Sequence, residues 1–236
     1  MKPSLKIHLQ SGLIQTRKEE QLQMYLAAIA GYVDAFGLIR FKTYLSFMSG
    51  NTTQSGNLLA TGNLNHATLA ITAIISFFCG VFLSTVATSI KSNKIAQMPF
   101  IPVVFGLALF LILDACFNVN PIFSVALIGT AMGYMNTTAT HVGRQTINPD
   151  FVTGTLSSMA KHLAAALIDK YPTDAQGTWD THLRRYFLLL LVWISFICGA
   201  ISSTIGHRFL NNWVLLLPIT VLICLTLKNI KNKTLR

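Results

Sequence analysis

The sequence predicts an all-α integral membrane protein with six transmembrane helices, arranged as a 3+3 inverted repeat with two broken or re-entrant segments. Three observations lead there. The 236-residue chain is 52% hydrophobic and only 11% charged, with a mean hydropathy of +0.54, whereas a soluble domain carries about a quarter charged residues. Its apolar residues lie in long runs instead of short alternating ones. Its second half also repeats motifs of its first, in the same order.

The runs define six spans. They are Met24–Ile39, Thr68–Ile90, Pro99–Phe117, Ile122–Ala139, Tyr186–Ile205 and Trp213–Leu227. A hydrocarbon core of roughly 30 Å takes about 20 helical residues. The central four runs are near or above that length, and the first and last are shorter. Residues 1–21 form an N-terminal segment, 22–120 the first three-helix repeat, 121–228 the second, and 229–236 a basic tail.

The repeat is carried by three markers. ISFFCGVFLST at Ile75–Thr85 matches ISFICGAISST at Ile194–Thr204 in seven of eleven positions. Gly31-Tyr32-Val33-Asp34 echoes Gly133-Tyr134-Met135-Asn136, and Phe47–Thr52 echoes Phe151–Leu156. An odd number of spans per half puts the copies in opposite orientations, which is the inverted-repeat arrangement of many transporters.

The formal charge of +10 is spread over loops and is not interleaved with aromatics, so no nucleic-acid partner is signalled. With six spans and a cytoplasmic N-terminus, fifteen Lys and Arg residues fall inside. Only Arg40, Lys42 and Arg208 fall outside. The positive-inside rule therefore places both termini in the cytoplasm.

Between spans one and two, Phe41–Phe47 reads as extended, followed by Ser49-Gly50-Asn51-Thr52 with a turn glycine and N-cap residue types. Thr52–Ala60 then reads as a short helix. The second copy has Ile147–Val152 extended, Thr153-Gly154-Thr155 as cap and Leu156–Ile168 helical. Non-helical backbone at membrane depth survives only inside protein or beside water, and a helix N-terminus there favours an anion. Ser49, Gly50, Asn51, Thr52, Thr153, Gly154 and Thr155 are thus the candidate solute-binding residues. As ordinary extramembrane loops, the same segments would merely start helices.

Asp34 lies inside span one. An intramembrane carboxyl group is expected to face protein or water and marks function by default, so it is the candidate carrier of a coupling proton. Its repeat partner Asn136 cannot titrate. The bland alternative is that Asp34 locks packing by hydrogen bonding. Asp114 reads as an interfacial residue, and His162, Lys161, Asp169 and Lys170 as the wet face of a loop helix. Cys79-Gly80, Cys198-Gly199 and the Ser-Thr pairs after them read as close helix packing. No metal-ligand spacing, P-loop or nucleophile motif occurs, so neither an enzyme nor a cofactor is expected.

The runs AGYVDAFG at Ala30–Gly37 and FMSGNTTQSG at Phe47–Gly56 resemble the signature of the YoaK-like bacterial membrane proteins. That resemblance implies a polytopic inner-membrane protein and assigns no functional residue. Arg40 and Lys42 depart from the apolar stretch expected there.

Taken together, the sequence reads as a secondary transporter or channel for a small solute, expected to be anionic and proton-coupled. Its partners would be the lipid bilayer, the solute and a second copy in a homo-oligomer. The alternative is a non-transporting sensor or assembly protein that docks a partner on Arg144–Arg185.

Overall fold

Within the described residues, each of the six apolar runs is largely helical. The computed structural model describes residues 3–90, 100–117, 119–138, 141–142, 145–146 and 152–234. Among these, α1 (Pro3–Phe41), α2 (Met48–Ala60), α3 (Leu64–Ser89) and α4 (Ile101–Cys116) form the first half. The second half is α5 (Pro121–Asn136), α6 (Val152–Leu167), α7 (His182–Leu210) and α8 (Leu216–Thr234). A 3-10 turn at Asn211–Leu215 joins the last two. Among the described residues each half therefore holds four helices. An antiparallel hairpin of two-residue strands, β1 (His141–Val142) and β2 (Gln145–Thr146), precedes α6. The expected extended stretch of the second copy lies, apart from Val152, outside the described residues, as do Lys91, Lys94 and Arg144.

Local chemistry sets the helix ends. Asn120 accepts from Ile122 N–H at 2.9 Å ahead of Pro121, a residue suited to the first helical turn. Asn63 accepts from His66 N–H at the start of α3. Between α2 and α3, Gly62 takes φ +74°, and Asn63 N–H returns to the Leu58 carbonyl at 2.9 Å. A left-handed residue closed in this way is a common helix terminator. Thr181 starts α7 by accepting from Arg184 N–H at 3.2 Å.

Among the described residues, three helical stretches are long and apolar enough to cross a membrane: Leu13–Phe41, Leu64–Ser89 and His182–Lys228, the last being α7, the 3-10 turn and most of α8. Helices α4 and α5 have 16 residues each, about 24 Å at 1.5 Å per residue. Large apolar side chains point outward along these helices, with Phe78 69% and Phe105 65% exposed. In water such surfaces would drive association, whereas against lipid they are solvated. The protein is a multi-pass, helical membrane protein.

The chain condenses into two units that do not follow its sequence halves. One contains residues 1–31 and 139–199, the other 32–138 and 200–236. In the first, Ala27, Val142, Leu188, Leu189 and Val192 form a buried cluster, with Met24, Met159 and Phe196 against it. In the second, Phe36, Phe41 and Phe110 meet edge to face at centroid separations of 5.9 to 6.4 Å.

Each unit contains the same helix crossing. In the first, a Cβ at Gly31 of α1 would collide with the Phe196 carbonyl of α7, and one at Gly199 of α7 with the Ala28 carbonyl of α1. In the second, Gly133 of α5 abuts the Phe77 carbonyl of α3, and Gly80 of α3 abuts the Thr130 carbonyl of α5. The four glycines are the paired repeat positions, and Phe77 and Phe196 are themselves equivalent in the repeat. The first helix of each half thus packs against the third helix of the other. Packing of the two Cys-Gly markers follows the sequence reading.

Candidate functional site

The stretch between α1 and α2 is non-helical, as its aromatic and β-branched residues predict, and two buried side chains hold it. Asp34, on the buried part of α1, is 4% exposed. Its Oδ1 accepts the backbone N–H groups of Leu45 at 2.8 Å and Ser46 at 2.6 Å, and its Oδ2 accepts the Ser46 hydroxyl at 2.9 Å. Asn51 is fully buried. Its Oδ1 accepts from Thr43 Oγ1 and from Tyr44 N–H, both at 3.0 Å, and its Nδ2 donates to the Tyr44 carbonyl at 2.8 Å. Gln54 Nε2 adds a bond to the Lys42 carbonyl at 2.6 Å, where Lys42 takes φ +56°.

This geometry revises the expected roles. Phe47, not a Ser or Asn, occupies the N-cap of α2, and no side chain caps it. Gly50 is not a turn residue but lies within the first turn of α2. A Cβ there would strike the ring of Phe47, which stacks edge-on against Tyr44 at 5.3 Å. The anion beside the entry to α2 is the protein's own Asp34 carboxylate. Asn51 spends its amide on Thr43 and Tyr44. Ser49 and Thr52 are exposed, and the Thr52 and Thr53 hydroxyls donate to the carbonyls of Met48 and Ser49.

In the second copy, α6 begins at Val152, the position equivalent to Met48. Thr153, Gly154 and Thr155 form its first turn, with Thr153 exposed and Thr155 buried. From Ser49 to Ala60 and from Thr153 to Ala164, exposed, half-buried and buried positions coincide, except that Ser55 is buried where Met159 is half-buried. The short helices therefore bury the same face. Asn136 is the last residue of α5.

Thr43, Tyr44, Ser46, Phe47 and Gln54 act in this arrangement without having been singled out by sequence reasoning. Their signal was present in the buried Asp and Asn, which must find partners, but the partners depend on a chain reversal. Asp114, read as interfacial, accepts an amide hydrogen bond from Asn212 and pairs with Arg40 at 3.5 Å. Arg40 is thereby tied to α4.

The segment 168–181 is likewise internally braced. Arg185 donates to both oxygens of Asp180 at 2.8 and 2.9 Å and to Asp174 at 2.9 Å. Arg184 pairs with Glu20 at 2.7 Å and lies 4.5 Å above the Trp179 ring.

Comparison with known proteins places the chain. It is 26% identical over 205 residues to the UPF0700 transmembrane protein YoaK of Bacillus subtilis (strain 168), covering 84% of this chain and 88% of the relative. No solved structure matches it. Residues 22–228, nearly the whole helical body, match the family described as protein of unknown function (DUF1275), and the chain belongs to that family.

Proposed function

We propose that this protein is a secondary transporter or channel for a small solute, built from two three-span inverted repeats in the bacterial inner membrane with both termini cytoplasmic. The observation that carries the reading is the matched burial of α2 and α6, two short helices entered in register in the two halves. The repeated Gly31–Phe196 and Gly133–Phe77 crossings support it. The excess of Lys and Arg on one set of loops supports the orientation. Short helices beginning after non-helical backbone are the elements with which repeat transporters hold solutes.

In this reading the two helix starts divide the work. Asp34 carries the coupling proton and its carboxylate organises the first copy. Protonation weakens the bonds from Leu45 and Ser46, since hydrogen bonds to a charged group are worth about 1.5–3 kcal/mol and neutral ones about half that. The α2 entry then loosens. In the second copy the sequence partner of Asp34 is the neutral Asn136, and the start of α6, with Thr153 and Gly154, takes an anionic group of the solute. Ser49 and Thr52 supply further hydroxyls. The protein performs no covalent chemistry and needs no cofactor.

Flux into proteoliposomes across a panel of small anions, cations and neutral solutes tests this. An anion flux with pH dependence lost in Asp34→Asn, and a rate lowered in Gly154→Ala and Thr153→Val, is the expected result. Unchanged flux and pH dependence in all three variants, or no flux for any solute, overturns it.

A further inference from the structure

We propose that His162 and His182 form a pH-sensitive latch, closed at neutral pH and released on acidification, that ties the middle of α6 to the first residue of α7. The two Nδ1 atoms lie 2.8 Å apart, and the rings are tilted by 37° with centroids 5.1 Å apart. Two ring nitrogens at that distance require one donor and one acceptor. One of the two Nδ1 atoms therefore carries the proton and the other receives it, and the Gln145 side-chain amide lies 3.4 Å from His162 Nε2.

The contact needs at least one neutral ring: a pair holding one added proton still has one donor and one acceptor, and a second added proton sets N–H against N–H and breaks it.

The charges around the pair oppose protonation. Burial holds His162 below the ordinary histidine range, and His182 and Arg185 add to that effect. Asp174 and Asp180 act in the opposite sense, but both carboxylates are engaged by Arg185. Lys161 is adjacent on α6, Arg184 follows His182 on α7, and Glu20 from α1 is occupied by Arg184. The pair also sits at the N-terminal end of α7, where a cation is disfavoured.

The sign follows from linkage. The folded state binds fewer protons than the unfolded chain, whose histidines titrate near 6.5. The latch is complete above that value and is lost as pH falls below it. What it releases is the C-terminal part of α6, while Asp180 and Arg185 continue to brace the segment 168–181. The latch is independent of the transport reading and is testable without any solute.

The test is a pH titration of purified protein carrying 15N-labelled histidine in lipid nanodiscs. The expected result is a His162 ring that titrates below the ordinary histidine range and moves up toward it in His182→Gln. Hydrogen exchange over residues 156–167, corrected for intrinsic rates, should rise roughly tenfold between pH 7.5 and 5.5, the equivalent of one hydrogen bond. In His162→Gln that rise should vanish. Independent titration of both rings near 6.5 in the unaltered protein overturns the proposal, and that measurement decides it even where a variant fails to fold.

Discussion

Asp34 grips Ser46 twice, taking its backbone N–H at 2.6 Å on one carboxylate oxygen and its hydroxyl at 2.9 Å on the other. The same carboxylate takes Leu45 N–H. A buried charge is tolerated when its lone pairs are filled, and here the filling groups are the backbone that must leave α1 and enter α2. Asp34→Asn should destabilise the protein by about 2 kcal/mol, since it replaces charge-assisted bonds with neutral ones. Ser46→Ala should cost about half that. Denaturation in detergent, with hydrogen exchange across residues 43–47, measures both, and equal stability of Asp34→Asn would refute the role.

The four reciprocal glycines should be costly to fill. Gly31→Ala, Gly80→Ala, Gly133→Ala and Gly199→Ala each drive a methyl group into a facing backbone carbonyl, and overpacking of this kind costs about 1–3 kcal/mol. Gly56 is the internal control. It lies in α2 with nothing within 4 Å of its added Cβ, so Gly56→Ala should stabilise by up to about 1 kcal/mol. Unfolding midpoints of the five variants give the comparison.

Gly50 is small because Phe47 covers it. Gly50→Ala should destabilise by roughly 1–3 kcal/mol, and adding Phe47→Leu should restore part of the loss. A double-mutant cycle reads the coupling, expected above about 0.5 kcal/mol. Additive costs would mean that the ring does not set the requirement at Gly50.

Arg185 and Asp180 are both 7% exposed and share a two-pronged ion pair. Arg185→Ala should cost about 3–5 kcal/mol by stranding a buried carboxylate. Burial pushes the Asp180 carboxyl up, but Arg185 and the Gln176 N–H together outweigh it and hold it below the usual range. Asp174 is lowered chiefly by its Arg185 hydrogen bond, and being 43% exposed it adds little. For a carboxyl group lowered on folding, the stability contribution is present above about pH 4 and lost as pH falls through the folded value. Melting temperature against pH should therefore drop below pH 4, with a shallower drop in Arg185→Ala.

The membrane-length helices were legible in the sequence because each contains a long apolar run. The Cys-Gly markers were legible as packing residues for the same reason: small side chains in apolar helices have one common use. The candidate site was legible only in outline. Asp34 and Asn51 stood out as polar groups bound for burial, but their partners Leu45, Ser46, Thr43 and Tyr44 are backbone or small polar groups with no pattern of their own. The sequence also gave no sign that His162 and His182 meet. Twenty positions separate them, and only the return of the chain after α6 brings the rings together.

By itself, then, the sequence determined that the chain enters a membrane as helices and that its second half echoes motifs of its first. These are properties of composition and local periodicity. Tertiary structure alone decided that the compact units cross the sequence halves, with α1 on α7 and α5 on α3. It also decided that Asp34 and Asn51 close a chain reversal and that Gly50 yields to an aromatic ring. Such outcomes depend on which surfaces meet, and a one-dimensional pattern specifies a surface without naming its partner.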